Sequence, residues 1–309
     1  MSNKSSQPST PLNSAVDLSI VRVLRALDPI ARSSRCEYFL AGATARDLIL
    51  VNVHGLRPGR ATRDIDFGIA VESWAQFELL KEGLLATNDF SASRAQQRLT
   101  FTDSNEGISI PVDLIPFRGV ASADGTIAWP PGRDIVMNVA GFEEALTSSV
   151  LIEIEANLTV HVASVAGLTL LKLAAWVDRG RESNKDAADL YRLLTSYADA
   201  GNTDRLYDTE LDLLEAAGFD MRLAGAELLG RDVAAICDAR ILHQVLSILA
   251  EEGNRERLVI DMVRSSTYAE ATPFVERTLD AFNRGLQRVL RSAPSRRQSN
   301  PTDPSGSRV

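Results

Sequence analysis

Two aspartates at positions i and i+2, Asp64 and Asp66, have the residue type and spacing that most directly predict chemistry in this chain. Side chains alternate across a β-strand, so both carboxylates are expected on the same face of one strand. Neighbouring carboxylates repel each other unless water, a basic group or a metal ion compensates their charge, and a divalent cation suits oxygen ligands best. The pair alone is equally typical of a solvated edge strand and of a metal site.

A third aspartate, Asp113, lies inside the otherwise apolar segment of residues 108–117 (ISIPVDLIPF). An unpaired charge is expensive to bury, so this carboxylate needs a compensating partner. Residues 98–102 (RLTFT) and 108–117 are predicted to form a hairpin, and Pro111 and Pro116 are expected to bend its second strand or to place it near a sheet edge. That strand can neighbour the strand of the first two aspartates, which would bring three acids together.

The element that positions the first two acids covers residues 38–67. It is predicted to contain a strand, a turn of small residues (Gly42-Ala43-Thr44), a helix over residues 45–51, and the strand that carries the acids. Small residues allow close backbone approach, and the start of a helix directs N–H groups at whatever lies in front of it. The turn is therefore a candidate phosphate site, although a tight strand-to-helix turn without a ligand is the commoner meaning of such a glycine.

A helical region begins near residue 167, and two of its helices carry candidate site residues. In the first, Lys172 lies one step from an apolar stripe, so its ammonium group can either reach a cleft or extend into solvent. The second helix is predicted to begin near Asn184 and places Asp186 and Asp189 on neighbouring turns. Acids in the first turn of a helix also favour the helix dipole, so a structural role competes with a functional one.

The remaining elements complete the predicted fold without adding a chemical motif. The other predicted helices cover residues 17–34 (capped by Asp17), 73–86, 204–217, 221–229, 231–251, 255–265 and 273–291. Residues 120–165 are predicted to be less regular, with a Gly/Pro-rich loop followed by strands at residues 149–154 and 158–162. The polar ends, residues 1–15 and 293–309, are predicted to be disordered.

The composition limits the classes of protein and site. With 309 residues, of which 45% are hydrophobic, the chain can bury the core of one large or two smaller domains. Two cysteines, Cys36 and Cys237, and three histidines argue against a zinc site or a disulfide framework, so any metal must be held by oxygen. The net charge of -8 argues against a broad nonspecific nucleic-acid surface but allows a local basic groove. The chain has neither an apolar run long enough to span a membrane nor a secretory h-region near its start, so a cytoplasmic protein with no membrane partner is expected.

Five segments together resemble the polymerase-β-like nucleotidyltransferase superfamily and, most closely, the AbiEii-type nucleotidyltransferase toxins: AGATARDL, TRDIDF, PVDLIPF, LLKLAAW and KDAADLYRLL. The resemblance implies an α+β fold. An N-terminal nucleotidyltransferase domain of residues 16–165, with a mixed or antiparallel sheet flanked by helices, would precede an α-helical domain of residues 166–292 that contributes Lys172 and Asp186 to the cleft. One departure is that Ala43 stands where the family usually has glycine or serine, which removes a side-chain contact to phosphate.

By this resemblance the protein is an enzyme that moves a nucleoside monophosphate from an NTP to an acceptor hydroxyl or phosphate, with Mg²⁺ or Mn²⁺ as cofactor. Asp64 and Asp66 would hold the ion on the triphosphate. Asp113 would help to hold a second ion near the acceptor and could take its proton. The other implied catalytic residues are Lys172, which would offset phosphate charge, and Asp186, which would line the site.

The implied nucleotide-binding residues are the glycine turn and two arginines near it. The turn would line the phosphates through backbone N–H groups and the hydroxyl of Thr44. Arg63 is a weaker candidate for a phosphate contact. Arg46 is also a candidate nucleotide-binding residue because it lies close to the turn. Its preferred interpretation is a structural pair with Asp47 on the helix.

Four basic residues along the two motif-bearing helices favour a polyanionic acceptor such as RNA, including tRNA. They are Arg179, Arg181, Lys185 and Arg192. The resemblance also implies a toxin–antitoxin system with a cognate antitoxin as partner. A small acceptor such as an antibiotic would instead need a closed pocket. The third hypothesis is a nucleotide-binding module that keeps the fold without the chemistry, and the retention of the acids and the lysine argues against it.

Overall fold

The computed structural model describes residues 9–60, 62–103, 106–180, 182–265 and 272–292. Residues 1–8 and 293–309, which are predicted to be disordered, lie outside these ranges. Arg181 of the basic group also lies outside them. Residues 9–15, predicted to belong to the same N-terminal tail, instead lie against the folded chain. The N–H of Thr10 donates to the carbonyl of Leu151 at 2.8 Å, and that of Asn13 donates to the carbonyl of Asn52 at 2.6 Å. Backbone groups make these contacts, and composition does not predict them.

A mixed β-sheet forms the first part of the fold. The strands are, in chain order, β1 (Glu37–Ala41), β2 (Ile65–Val71), β3 (Phe90–Ala92), β4 (Arg98–Asp103), β5 (Ile108–Arg118), β6 (Thr126–Ala128), β7 (Val136–Asn138), β8 (Val150–Glu155) and β9 (Leu158–Val162). Within the described ranges, seven of them form one sheet in the order β3-β4-β5-β2-β1-β9-β8. The pairs β2–β5 and β1–β9 are parallel, and the other pairs of this sheet are antiparallel.

Helices flank the sheet and make up the second part of the fold. They are α1 (Leu18–Ser33), α2 (Gly42–Asp47), α3 (Trp74–Leu85), α4 (Phe142–Thr147), α5 (Val165–Arg179), α6 (Lys185–Ser196), α7 (Thr203–Asp208), α8 (Leu211–Ala216), α9 (Met221–Ile236), α10 (Ala239–Ala250), α11 (Glu252–Ser265) and α12 (Thr272–Ser292). The side chains of Asp17, Ser73 and Ser164 accept backbone N–H groups at the starts of α1, α3 and α5. The predicted α+β class is confirmed, while the domain division at residue 165 stays a prediction.

Strand β5 lies inside the sheet, between β4 and β2, so the expectation of a sheet edge from its two prolines is wrong. The N–H of Leu114 donates towards β4, to the carbonyl of Gln97 at 2.7 Å. By alternation the nitrogen of Pro116 faces the same way, beyond the start of β4, and that of Pro111 faces β2 before that strand begins at Ile65. Neither proline therefore removes a ladder hydrogen bond.

The region of residues 120–165 is more regular than predicted. Strands β6 and β7 form a short ribbon, and α4 precedes the expected strands β8 and β9. Each strand of the ribbon has three residues, too few for an alternating pattern to show in the sequence.

The helix break predicted at residue 230 is wrong, and close packing explains the glycine found there. Helix α9 runs without interruption through Gly230 and packs closely on α12. A Cβ atom at Gly230 would lie 2.2 Å from the carbonyl oxygen of Phe282, and one at Gly285 would lie 2.0 Å from that of Glu227. Both glycines are therefore required by close helix packing rather than by a turn. The predicted helix at residues 204–217 is likewise two short helices, α7 and α8.

None of the helices in the described ranges is both long enough and apolar enough to cross a membrane.

Candidate active site

The site begins where β1 passes into α2 at Gly42. The helix starts three residues earlier than predicted, and Gly42 has a φ of +66°, in the left-handed region that favours glycine. A Cβ atom at this position would lie 1.8 Å from Oδ2 of Asp66. The absence of a side chain at residue 42 is thus what leaves room for the carboxylate.

The sheet register brings the three predicted acids together. Asp66 pairs with Asp113 across the parallel strands β2 and β5, and Asp64 immediately precedes β2. One carboxylate oxygen from each of the three lies within 4.8 Å of the others. The prediction that these side chains share one site agrees with this geometry.

The ionisation of the acids reflects their crowding. Burial raises the pKa of Asp66 to about 6, and the charges of Asp64 and Asp113 add to this effect. Burial also acts on Asp64, but hydrogen bonds from the Thr62 hydroxyl and its own backbone, with the charges of Arg98 and Lys185, leave its pKa below the ordinary value. Of these two acids, Asp66 is therefore the one that is more easily protonated.

Arg98, which the sequence interpretation did not single out, contacts this cluster. It lies opposite Asp113 in the β4–β5 hairpin, and its Nε and Nη2 are 2.7 and 2.6 Å from the two oxygens of that carboxylate. Its Nη2 is also 3.7 Å from Oδ2 of Asp64. Counting residue pairs outwards from the hairpin turn would have placed Arg98 beside Asp113.

Lys172 is buried rather than extended into solvent, and it links the two acids of α6. Its Nζ lies 3.0 Å from Oδ1 of Asp186 and 2.7 Å from Oδ2 of Asp189. Burial lowers the pKa of Lys172, but the charges of Asp189 and Asp186 outweigh that effect and raise it above the ordinary value. For Asp186, burial acts in the opposite direction and raises the pKa, but the charges of Lys172 and Arg179 bring it below the ordinary value. The lysine therefore stays charged.

Arg46 extends this ionic network to α2. Its guanidinium is 1% exposed, donates to Asp189, and lies 2.8 Å from both oxygens of Asp47. It also donates to the carbonyl of Arg60 at 3.1 Å. These contacts agree with a structural pairing of Arg46 with Asp47, and a contact of Arg46 with the nucleotide stays a prediction.

The other residues of the glycine turn are less accessible than expected. Ala43 and Thr44 are each 5% exposed. The Thr44 hydroxyl donates to the backbone carbonyl of Asp64 at 3.2 Å, so it steadies the approach to β2 and does not present a free donor to phosphate. Arg63 is exposed and lines a cavity beside Asp64.

Two cavities adjoin the acids. The first, of about 130 Å³, lies between the sheet and helices α5 and α6, and its lining includes Gly42, Asp66, Asp113 and Lys172. The second, of about 730 Å³, is lined by Asp64, Arg63 and the segment before β2. The acid cluster therefore faces two spaces that differ in size and lining.

The described members of the predicted basic group have different neighbours. Arg179 is directed at Asp186, with Nε 2.9 Å from Oδ2. Arg192 donates to the carbonyl of Arg57 in the loop between α2 and β2. Lys185 is exposed, and its charge acts on Asp64. Of the described members, Arg192 thus contacts the segment before β2, and Lys185 lies near enough to Asp64 for its charge to act there.

The donor set fits a divalent metal ion. Carboxylate oxygens are the ligands that Mg²⁺ and Mn²⁺ prefer, and one oxygen from each of the three acids lies within 4.8 Å of the others. Asp64, Asp66 and Asp113 are the residues that would hold such an ion.

The mixed sheet, the glycine turn and the three converging acids define a nucleotidyltransferase. The model of the family described as "Nucleotidyl transferase AbiEii toxin, Type IV TA system" matches residues 25–286, so the chain belongs to this family. The resemblance seen in the sequence motifs is confirmed. No curated protein matches the chain.

The chain also shows a distant likeness to solved structures. An antigenic nucleotidyltransferase-like protein from Paracoccidioides brasiliensis is 15% identical, with a TM-score of 0.40, over 66% of this chain and 93% of its own. JHP933 from Helicobacter pylori is 13% identical, with a TM-score of 0.35, over 90% of this chain and all (100%) of its own. The CCA-adding enzyme of Thermotoga maritima, solved with tRNA, is 11% identical, with a TM-score of 0.24, over 89% and 82% of the two chains.

Proposed function

We propose that this protein transfers a nucleoside monophosphate from an NTP to RNA, and that it does so as the toxin of a toxin–antitoxin system. The observation that carries the proposal is the convergence of Asp64, Asp66 and Asp113 within 4.8 Å, directly beside the glycine that begins α2. The family supports the toxin role and a cognate antitoxin as partner.

The transfer is a displacement at the α-phosphorus of the NTP. The acceptor oxygen forms a bond to that phosphorus, the bond to the β-phosphate oxygen breaks, and pyrophosphate leaves. Asp113 takes the proton of the acceptor hydroxyl. Asp64, Asp66 and Asp113 would hold a divalent ion, which would supply positive charge beside the triphosphate. Lys172, whose charge reaches Asp66, adds positive potential behind the cluster.

The loop before β2 supports a polyanionic acceptor. Arg57, Arg60 and Arg63 are exposed along it, and Lys185 is exposed on α6 and acts on Asp64. Exposed arginines and lysines bind phosphate groups, and their proximity to the acids would bring an RNA end to the reacting phosphorus.

A small cationic acceptor is the alternative, and the lining of the second cavity favours it. That cavity of about 730 Å³ carries the acids Asp17, Asp47, Asp64 and Glu106. Carboxylates attract amino groups, as on an aminoglycoside-type antibiotic, and repel the phosphates of RNA.

Incubation with each radiolabelled NTP and Mg²⁺, in the presence of extracted RNA, protein or small amino-sugar molecules, tests both acceptors. We expect label on RNA, and none with a variant that combines Asp64→Ala and Asp66→Ala. Replacing Arg57, Arg60 and Arg63 together with glutamine should reduce RNA labelling at least about tenfold at low salt. Label on amino sugars alone would instead establish the alternative, and no label on any acceptor would refute nucleotidyl transfer.

A further inference from the structure

Arg98 contacts two of the three acids that would hold a metal ion. Its guanidinium grips both oxygens of Asp113, at 2.7 and 2.6 Å, and its Nη2 reaches to 3.7 Å from Oδ2 of Asp64. These are two of the three carboxylates that converge within 4.8 Å. The arginine therefore bridges the acids with one positive charge.

A divalent ion and this guanidinium cannot use the same oxygens without repelling each other. Ligand oxygens lie about 2.0 to 2.1 Å from Mg²⁺, closer than the guanidinium lies to Asp113, so an ion that binds both acids would meet the arginine at close range. Arg98 can leave, because its side chain is 35% exposed and it is the first residue of β4. Asp113, at 12% exposure, is the more fixed partner.

We propose that Arg98 is a positioning residue that serves as the resident counter-ion of the acid cluster, and that it must release Asp113 for a divalent ion to bind. The inference rests on the proposed function, since it takes the three acids to be the metal site. A released Arg98 stays beside the cluster, where the triphosphate of the NTP offers it a new anionic partner. Nucleotide binding thereby helps metal binding.

The test is the affinity of the nucleotide-free protein for Mn²⁺ alone, measured from the electron paramagnetic resonance signal of the free ion. We expect Arg98→Gln to bind Mn²⁺ about tenfold more tightly than the wild type, because one repelling charge is removed. Arg98→Lys should fall between them, because an ammonium group cannot bridge two carboxylates in the bidentate way of a guanidinium. Arg94→Gln, at an exposed arginine four residues earlier, is the matched control and should bind as the wild type does.

Asp66→Asn shows which site the ion occupies, because it removes a ligand and should abolish Mn²⁺ binding. If the wild type binds Mn²⁺ in a manner that depends on Asp66, and Arg98→Gln binds equally or more weakly, the counter-ion role is overturned while the metal site stands. If neither protein binds Mn²⁺, both the counter-ion role and the metal site of the proposed function are refuted. Tighter binding by Arg94→Gln to the same extent would also overturn the proposal, since it would reflect general surface charge.

Discussion

Gly42 is the residue at which the site tolerates the least change. Gly42→Ala would place a Cβ atom 1.8 Å from Oδ2 of Asp66, so the carboxylate must move. We expect nucleotidyl transfer to fall by at least about a hundredfold, since a displacement of about 1 Å at a reacting group has such an effect. Gly55→Ala is the matched control for assays of activity and thermal unfolding. Gly55 also has a positive φ, +71°, but a Cβ there meets nothing within 4 Å, so that variant should keep its activity.

Asp66 destabilises the metal-free protein at neutral pH. Its pKa is about 6 in the folded protein and has an ordinary value of 3.8. Below about pH 3 the group is protonated in both states and contributes nothing, the penalty grows between about pH 4 and pH 6, and above that the group is ionised in both states and the full penalty applies. Asp66→Asn should therefore raise the free energy of unfolding by on the order of 3 kcal/mol at pH 7.5, and by much less at pH 4.

Urea unfolding in the presence of EDTA, at both pH values, measures this difference. The exposed Asp199 provides the control, because Asp199→Asn should leave the free energy of unfolding nearly unchanged. A destabilised Asp66→Asn protein at pH 7.5 would show that the carboxylate is already compensated without metal.

The sequence indicates the acids of the site better than the groups that surround them. The i, i+2 spacing of Asp64 and Asp66 and the apolar context of Asp113 follow from strand geometry, which is local. Arg98 depends on hairpin register, and Arg46 depends on its distant contact with Asp189 in α6. Such contacts between remote segments have no local signature, so residue type alone does not reveal them.

At the scale of elements, the contact between α9 and α12 requires glycine on both helices. Alanine normally favours a helix over glycine by about 1 kcal/mol. Gly285→Ala should nevertheless lower the free energy of unfolding by about 2 kcal/mol, since its Cβ would lie 2.0 Å from the carbonyl oxygen of Glu227. Gly253→Ala in α11, where a Cβ meets nothing within 4 Å, should be neutral or stabilising. The free energies are measured by guanidinium unfolding. Equal changes for Gly285→Ala and Gly253→Ala would mean that α9 and α12 can move apart at little cost.

The same contact shows why helix boundaries were harder to predict than helix type. The periodic apolar residues identify helices on both sides of Gly230, but a glycine can mean either a break or a close approach. Only the position of Phe282 on α12 distinguishes these meanings. The same holds for Pro111 and Pro116 of β5, because a proline removes a ladder hydrogen bond only where a neighbouring strand lies opposite its nitrogen.

At the scale of the whole molecule, a buried ionic network joins the sheet region to the helical region. Asp189 is 2% exposed and contacts both Arg46 of α2 and Lys172 of α5. Asp189→Asn would leave two buried cations with less compensation and should lower the free energy of unfolding by about 3 kcal/mol. Asp208→Asn, at an exposed aspartate of α7, is the control in the same urea titration. A loss below about 1 kcal/mol would show that the network contributes little to holding the regions together.

The two cavities beside the acids also determine how the substrates can meet. One adjoins Asp66 and Asp113 and the other adjoins Asp64, and we predict that the donor and the acceptor bind in different cavities. Both substrates can then be present before any bond breaks, and no covalent enzyme intermediate is needed. Initial velocities measured at several fixed acceptor concentrations should give double-reciprocal lines that intersect, whereas parallel lines would indicate a ping-pong order. The enzyme would then bind its NTP without cleaving it until an acceptor binds.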